Sequence, residues 1–414
     1  MTTVGDLDSG DLADLRSVAR HFVESELYPM ESEIQRREAQ RGLGDDSLIP
    51  HEDSARLMDA AREHDLLGLD VPEVLGGQGY GFLAKLLVVE ELNRSIVPFR
   101  LAPESPNLYL LMELASSEQR PRYLEPYARG ALKAASAFTE PDAGCDTLAR
   151  RTTARRAGSG WVLNGAKQFV SWAKSADFFV VTAATAPAAR PSERFTAFIV
   201  EPHTPGVHIG RHISTMGEAT PYGVSFEDVQ LEDSQRLGPE GGAFLPVQRR
   251  LDIRRIEMGA RCVGMGSRLV DLMVQQAVER ETYGDYLADR QMVQSWIADS
   301  VTDLHAATLM VTAAARRFDE GDRDLRLPAS MVKTFATEMI SRISDRTLQL
   351  FGGMGFTKDL PIEFIYRNSR FLRVLEGPSE IHRVQIAIDR LGHPDYVAEY
   401  EWMRHAVTEP ASIE

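Results

Sequence analysis

One carboxylate in the chain stands where a catalytic base would be expected. Glu376 follows Leu375 and directly precedes Gly377 and Pro378. An apolar residue before it and a glycine after it suit a carboxylate that meets a substrate at a backbone turn better than a solvated surface charge. A carboxylate in a water-poor pocket gains basicity and can remove a substrate proton. We therefore expect Glu376 to act as a general base; the alternative is an ordinary surface carboxylate.

The turn-rich segment 138–146 is a candidate for holding a planar cofactor. Its backbone N–H groups and the Thr139 hydroxyl can hydrogen-bond the edge of a heterocycle. The alternative is a purely structural loop, and for this segment taken alone that interpretation is favoured. The chain has no GxGxxG after a strand, no phosphate-binding P-loop, no HExxH and no GxSxG elbow. Any dinucleotide must therefore bind without those motifs.

A second candidate lies about twenty residues further on. Asn164-Gly165 predicts a hairpin turn, and the strand after it covers 167–171. Alternation along a strand places Phe169 and Ser171 on the same face. An aromatic ring and a hydroxyl on one face suit a flavin, through stacking and a hydrogen bond. Such pairs are also common in protein cores.

The elements that must position these groups fall into three blocks. Apolar residues at spacings of three and four predict helices from about 10 to 130. Short segments rich in β-branched and aromatic residues, such as 178–182 and 195–200, predict a β-domain. After Gly241-Gly242 long helical patterns return. The order is helical, then β, then helical.

Composition narrows the classes of function. A chain of 414 residues predicts two or three domains, and a formal charge of −15 argues against nucleic acid as the main partner. The only cysteines are Cys145 and Cys262, with no cluster at metal-ligand spacing, so we expect neither disulfides nor a metal. No apolar run is long enough for a membrane span, and the acidic N-terminus lacks a targeting pattern. We therefore expect a cytoplasmic protein.

Five motifs occur in a fixed order along the chain: TEPxAGxD at 139–146, NGxK at 164–167, RxTYGxxLxxxQ at 280–291, QxFGGxG at 349–355 and EGPSEIHR at 376–383. In this order and spacing the chain resembles the FAD-dependent acyl-CoA dehydrogenase family, from about residue 10 to 392. The resemblance implies an α+β multidomain fold with a four-part division. The parts are an N-terminal helical domain at 1–132, a β-barrel-like or orthogonal-sheet domain at 133–242, a C-terminal four-helix bundle at 243–394 and a tail at 395–414.

The resemblance also implies an FAD held between subunits. Thr139 matches the residue at the pyrimidine end of the flavin, and Ser171 matches the hydroxyl facing its reactive edge. Phe169 takes the place usually held by tryptophan. Cys145 takes the place of a serine near flavin and substrate, and a thiol is a weaker hydrogen-bond donor than a hydroxyl.

The remaining cofactor contacts are implied at two other segments and near the adenine. The residues that match segments reaching a neighbouring subunit's cofactor are Arg280, Thr282, Tyr283, Gln291, Gln349, Gly352 and Gly353. Arg280 can neutralise the pyrophosphate as a forked donor. Pro378 and Glu380 replace the usual threonine and glutamine near the adenine. Proline lacks a backbone donor, so contacts there are expected to differ.

The implied activity is α,β-dehydrogenation of an acyl-CoA thioester to a trans-2-enoyl-CoA, with Glu376 removing the α-proton and FAD taking the β-hydride. Implied substrate contacts are Cys145, Arg255, Glu376 and Gly377, and Arg255 helps to hold base and substrate. Some relatives carry the base at the position of Arg254, which cannot act as one. Glu257 is expected to face elsewhere on the same helix.

Three other readings remain open. One is a flavin oxidase or a dehydrogenase of a carrier-bound or unusual acyl group; another is a catalytically silent subunit, and a third a DNA-associated relative. For the favoured activity, the resemblance implies an acyl-CoA substrate, an electron-transferring flavoprotein as electron acceptor and a homo-oligomer, a dimer of dimers or homotetramer. The acyl chain itself is left open.

Overall fold

The computed structural model describes residues 9–187 and 189–392. The expected tail at 395–414 lies outside these residues. Helices dominate the N-terminal block, which confirms the helical pattern predicted there. They are α1 (Ser9–Phe22), α2 (Glu31–Arg41), α3 (His51–Glu63), α4 (Phe82–Leu92), α5 (Ser105–Leu114) and α6 (Glu125–Ala128).

The middle block is built of strands, as predicted. They are β1 (Ala134–Ala137), β2 (Thr153–Ala157), β3 (Gly160–Ser171), β4 (Phe178–Ala184), β5 (Phe195–Val200), β6 (Val207–His212), β7 (Pro221–Glu232) and β8 (Arg236–Leu237). They form one sheet in the order β6-β7-β3-β2-β4-β5-β8, with β1 beside β4. Most neighbours are antiparallel, whereas β4 runs parallel to β1 and β2.

The C-terminal block returns to helices, which confirms the predicted α+β architecture. Its elements are α7 (Phe244–Glu279), the short strands β9 (Glu281–Thr282) and β10 (Asp285–Tyr286), α8 (Gln291–Asp319), α9 (Arg326–Phe351), α10 (Ile362–Leu372) and α11 (Ser379–Leu391). The three long helices α7, α8 and α9 pack against one another, and α10 and α11 pack on α9.

The sheet buries side chains on both faces of its central strands. In β4, Phe178 and Val180 join a core with helices α5 and α6, whereas Phe179 and Val181 join the sheet's own interior. That interior also holds residues of β3, β5 and β7; for example, the ring of Trp161 lies 5.4 Å from that of Phe198. One face of the sheet therefore encloses a hydrophobic core formed by the strands themselves, and its other face packs against helices α5 and α6.

The predicted hairpin turn at Asn164-Gly165 is wrong. Both residues lie inside β3, and the hairpin from β2 turns at 158–159 instead. The ladder between β3 and β7 shifts register between Leu163 and Gly165, which marks a bulge. Gly165 has φ 147°, and a Cβ there would lie 2.5 Å from the Thr152 hydroxyl oxygen. The glycine thus serves a strand irregularity and a close packing contact rather than a turn.

One hydrophobic core joins the two helical blocks. It contains Phe22 and Leu86 from the N-terminal block and Ile256, Leu269 and Ile340 from the C-terminal block. Helix α7 touches α4, α5, α8 and α9. With 36 residues it spans roughly 54 Å, so side chains from its two ends serve different parts of the molecule. None of the described helices is long and apolar enough to cross a membrane.

Candidate active site

The predicted base lies in a strained loop between α10 and α11. Glu376 has φ 55° and Gly377 has φ 94°, the left-handed region that a residue with a Cβ enters at a cost of about 1–2 kcal/mol. A Cβ on Gly377 would lie 3.1 Å from Nε2 of His382. Such strain persists only where surrounding contacts hold it, and it is concentrated at functional sites.

Two side chains hold the backbone of that loop. The Glu376 carbonyl accepts hydrogen bonds from Nε of Arg255 at 3.1 Å and from Nε2 of His382 at 3.2 Å. Arg255 is itself fixed by Asp252, whose carboxylate lies 2.7 Å from Nη1. Within the described residues, no hydrogen bond is formed by the Glu376 N–H, which stays free for a ligand. Sequence and structure thus agree in bringing Arg255 and Glu376 together.

His382 was not singled out from the sequence, although it lies within the last motif. It is fully buried, and burial beside Arg255 and Lys333 lowers the pKa of its imidazole to about 3. The ring is therefore neutral and can donate from Nε2 to the Glu376 carbonyl. Buried Lys333 donates to the carbonyl of Arg373 at 2.9 Å and so holds the preceding turn. No local pattern distinguishes these two from ordinary helix residues.

The Glu376 carboxylate faces a second residue that the sequence did not reveal. Its side chain is 18% exposed, and Oε1 lies 3.8 Å from Nη1 of Arg250. Arg250 is held from behind: its guanidinium lies 5.4 Å from the centroid of the Phe138 ring, and Nε donates to Asn107 at 3.2 Å. Burial lowers the pKa of Arg250 below its usual value. The sequence around Arg250 contains several arginines, and the sequence alone does not indicate which of their guanidinium groups faces the base.

Arg254, one turn further along α7, is paired rather than free. Its Nη1 lies 3.0 Å from Oε1 of Glu257 and 3.7 Å from Oε1 of Glu104. Burial acts to lower the pKa of Arg254, but the charges of Glu257, Glu104 and Glu376 outweigh it and raise that pKa. Glu257 is buried and shares this ion pair with Arg254, whereas Arg255 contacts Glu376 and Asp252.

A cavity opens beside this ion pair, between α4, the loop after it, α7 and α10. Its apolar lining includes Val89, Leu92, Ile96, Phe99, Met265 and Ile365. Its charged lining includes Lys85, Arg100, Glu104, Glu218, Glu257 and Arg261. The charged groups are joined: Arg100 lies 3.1 Å from Glu104 and 3.2 Å from Glu218, and Arg261 lies 2.6 Å from Glu218.

The structure brings the Thr139 segment against β3. The Thr139 carbonyl accepts from the N–H of Gln168 at 2.8 Å. Next to it, Glu140 and Lys167 form a buried ion pair at 2.8 Å, and burial lowers the pKa of Lys167 to about 7. These contacts fix the loop that carries the Thr139 hydroxyl. The sequence supplied both segments but not the ion pair that joins them.

Beyond this junction, the end of β3 presents an open polar and aromatic surface. Phe169 is 51% exposed and Ser171 is exposed, whereas Val170 between them is buried. Trp172, 39% exposed, adds a second ring beside them. Exposed rings and a hydroxyl form a donor and stacking set that fits a flavin ring system. Cys145 is exposed in the loop after Thr139, and the described contacts do not join it to Glu376.

The other predicted cofactor residues lie at the far end of the helical bundle. From Arg255 to Arg280, α7 rises roughly 37 Å. The residues there are Arg280, Thr282, Tyr283, Gln291, Gln349, Gly352 and Gly353, all exposed except half-buried Thr282. The small core of Met273, Ala277, Val293 and Leu350 brings their helix ends together. A Cβ on Gly352 or Gly353 would meet nothing within 4 Å, so their backbone is open to a ligand.

Near the base, the two residues expected at the adenine begin α11. Pro378 is its N-cap and half-buried, and Glu380 is exposed in its first turn. The structure thus divides the predicted residues into a set around Glu376, a set on β3 with its neighbouring loop, and a set at the far bundle end. A single chain does not bring the last set to the first.

Comparison with known proteins agrees with this arrangement. Family models for the N-terminal, middle and C-terminal domains of acyl-CoA dehydrogenase match residues 9–131, 135–233 and 244–390. (R)-Benzylsuccinyl-CoA dehydrogenase of Thauera aromatica is 44% identical over 379 residues, 90% of this chain and 93% of that protein.

Two solved structures share the fold over nearly the whole chain. A glutaryl-coenzyme A dehydrogenase in complex with glutaryl-CoA has a TM-score of 0.84 at 27% identity, covering 94% of this chain and 96% of that one. An FAD complex of PigA has a TM-score of 0.81 at 26% identity, covering 94% and 98%. The resemblance read from the five motifs is confirmed: the chain belongs to the acyl-CoA dehydrogenase family, whose members are FAD-dependent oxidoreductases acting on CH–CH bonds.

Proposed function

We propose that the protein oxidises an acyl-CoA thioester to a trans-2-enoyl-CoA, with Glu376 as the base. The observation that carries this proposal is the loop at Glu376. It holds a half-buried carboxylate, a strained backbone fixed by Arg255 and His382, and a free N–H on the same residue. A carboxylate and a fixed donor on one residue are what removal of a proton next to a carbonyl requires.

Each group has a defined part in the reaction. The thioester carbonyl accepts a hydrogen bond from the Glu376 N–H, which stabilises the negative charge that develops on its oxygen. The Glu376 carboxylate takes the α-proton as the Cα–H bond breaks. The Cβ–H bond breaks with its electron pair, and a Cα–Cβ double bond forms. FAD, when bound, supplies the acceptor for that hydride.

The residues that would hold FAD are those of the exposed sets. Thr139, Phe169 and Ser171 would face the flavin ring, with Cys145 nearby and Pro378 and Glu380 towards the adenine. Arg280 and the Gly352-Gly353 turn, with their neighbours, would reach the FAD of another subunit. We infer a homo-oligomer on the ground that α7 separates Arg280 from Arg255 by roughly 37 Å, and a dimer of dimers is what the family resemblance implies.

The substrate of the relative from Thauera aromatica, benzylsuccinyl-CoA by its name, indicates that an unusual acyl group fits this subfamily. We infer that electrons leave through an electron-transferring flavoprotein, as the family resemblance implies. The domain limits 1–132, 133–242 and 243–394 are proposed on the change from helices to strands and back.

The test is anaerobic reduction of the bound flavin by acyl-CoA thioesters, compared between wild type and Glu376→Gln. We expect the variant to keep FAD and to lose flavin reduction by about 10²–10⁴-fold, the usual contribution of a general base. Glu91→Gln is the matched control, a buried glutamate on α4 that pairs with Arg16 and Arg20 and does not line the cavity. Retained reduction in Glu376→Gln would place the base elsewhere. Fast formation of hydrogen peroxide in air would show that the protein is an oxidase rather than a dehydrogenase.

A further inference from the structure

The charged groups that line the cavity between α4, α7 and α10 are paired with one another or with close neighbours. Three arginines, Arg100, Arg254 and Arg261, are joined by ion pairs to three glutamates, Glu104, Glu218 and Glu257. Lys85 donates to the carbonyl of Pro103 at 3.3 Å, and its charge faces Asp70. Arg250 forms no ion pair with this network, although the charge of Glu104 acts on it from further away. Among the described residues, the carboxylate that the structure places within ion-pair distance of it is that of Glu376, at 3.8 Å.

This arrangement has a consequence during the proposed reaction. When Glu376 takes the α-proton it loses its charge, and Arg250 then loses the carboxylate in ion-pair contact with it, with the charge of Glu104 acting only from further away. Arg250 is 7% exposed, and a buried charge without a partner is strongly unfavourable. Its Nε is already committed to Asn107 and its face to Phe138, so the free donors are on its two Nη atoms. Of these, Nη1 lies 3.8 Å from Oε1 of Glu376, so this part of the guanidinium faces the base.

We propose that the acyl group carries a second carboxylate and that Arg250 binds it. This inference rests on the proposed function and names its substrate class: monothioesters of dicarboxylic acids. A guanidinium fork matches a carboxylate in a bidentate manner, and such a pair keeps Arg250 compensated after Glu376 is protonated. The α-carbon must touch Glu376, and Arg250 lies beside that carboxylate. The second carboxylate therefore stands on the β-carbon or one carbon beyond it. A plain fatty acyl chain would instead desolvate the fork and leave it unpaired.

The test compares thioesters that differ by exchange of a carboxylate for a methyl group. The pairs are succinyl-CoA with butyryl-CoA and glutaryl-CoA with pentanoyl-CoA, each given to the FAD-loaded enzyme. We expect kcat/KM for flavin reduction to be about 10- to 100-fold higher for a carboxylate member than for its methyl counterpart, the usual size of a hydrogen bond to a charged group. Calorimetric binding without an electron acceptor should show the same order of affinity.

Variants at two adjacent arginines locate the effect. Arg250→Gln should reduce the carboxylate preference towards unity, and Arg250→Lys should restore part of it, because the charge returns without the fork. Arg249→Gln is the control. Arg249 follows the same helix but pairs with Glu113, with both side chains 35% exposed, so its loss should leave the preference unchanged.

Three results would overturn the inference. One is equal rates and equal binding for both members of each pair. Another is an Arg250→Gln variant that slows both members equally, which would make Arg250 a stabiliser of the developing enolate charge. A third is Arg249→Gln lowering the preference as much as Arg250→Gln does. If no thioester reduces the flavin, the proposed function fails, and calorimetry still decides the inference: tighter binding of succinyl-CoA than butyryl-CoA supports it, and equal binding overturns it.

Discussion

The two ends of α7 carry arginines in opposite settings. Near its start, Arg250, Arg254 and Arg255 are each less than 9% exposed and are held by hydrogen bonds or ion pairs within the chain. Arg280, just past its end, is exposed. Buried guanidiniums must be compensated by the fold itself, whereas an exposed one is available to another molecule. The arginines of the near end are therefore held by the chain itself, whereas the far end is the surface that we propose contacts the FAD of another subunit.

The largest test of this difference is complementation between two inactive variants. Glu376→Gln removes the near-end base, and Arg280→Gln removes the far-end charge. If Arg280 serves a neighbour's FAD, a mixed dimer holds one site with both groups intact. We expect about a quarter of all sites to recover in a random equal mixture. The measurement is flavin reduction after subunit exchange at equal total protein.

Each outcome of that mixture bears on the comparison. A mixture of Glu376→Gln with wild type is the control, because it measures the flavin reduction that each intact site contributes when inactive subunits are present. Arg211→Gln, an exposed arginine on β6, replaces Arg280→Gln as the control for surface charge. No recovery from two variants that separately keep their fold and assembly would mean that both groups serve one chain's site, and the proposed division between the ends of α7 would be withdrawn.

A smaller effect is expected from the strain of the near-end loop. Gly377→Ala places a Cβ at φ 94° and 3.1 Å from the His382 ring, so the base must shift. We expect flavin reduction to fall about 100-fold, since a displacement of about an ångström costs that much in a positioned site. FAD binding should change little, because most of its proposed contacts, on β3 with its neighbouring loop and at the far end of α7, lie away from Gly377.

The chain offers a matched control for this substitution. Gly321 has φ 93°, almost the same backbone, and a Cβ there would meet nothing within 4 Å. Gly321→Ala should cost about 1–2 kcal/mol in free energy of unfolding and leave flavin reduction unaltered. If both variants lose activity equally, strain in general rather than the position of Glu376 is responsible.

The near end also shows what the sequence could and could not predict. The order of helices and strands followed from periodicity, and Arg255 was placed beside Glu376 correctly. The mistaken turn at Asn164-Gly165 arose because a turn-favouring pair also suits a bulge, and only the partner strand decides between them. Arg250 and His382 were missed because their roles depend on which face of a helix packs towards the loop at Glu376. For Arg250 that face is set by tertiary contacts, because Glu376 lies more than a hundred residues away in the sequence.

The smallest effect concerns how His382 couples the near-end loop to pH. The pKa of His382 in the folded chain, about 3, lies below the ordinary value of 6.5 because the ring is buried beside Arg255 and Lys333. Between these values the unfolded chain binds a proton that the folded chain does not, so the free energy of unfolding falls as the pH drops below about 6.5. The loss should reach about 2 kcal/mol at pH 5 relative to pH 7. His382→Gln keeps a donor for the Glu376 carbonyl and should remove this part of the pH dependence.

Denaturant unfolding at pH 7 and pH 5 measures the difference for wild type and variant. His305→Gln serves as the control, because His305 is exposed on α8. Its loss should leave the change in free energy of unfolding between pH 7 and pH 5 as it is in wild type. If the free energy of unfolding of His382→Gln falls between pH 7 and pH 5 as much as that of wild type does, charging His382 carries no such cost. Water or a rearrangement then stabilises the charged ring. The far end carries no buried histidine among the described residues, so acidification should weaken the near-end loop before it disturbs the surface around Arg280.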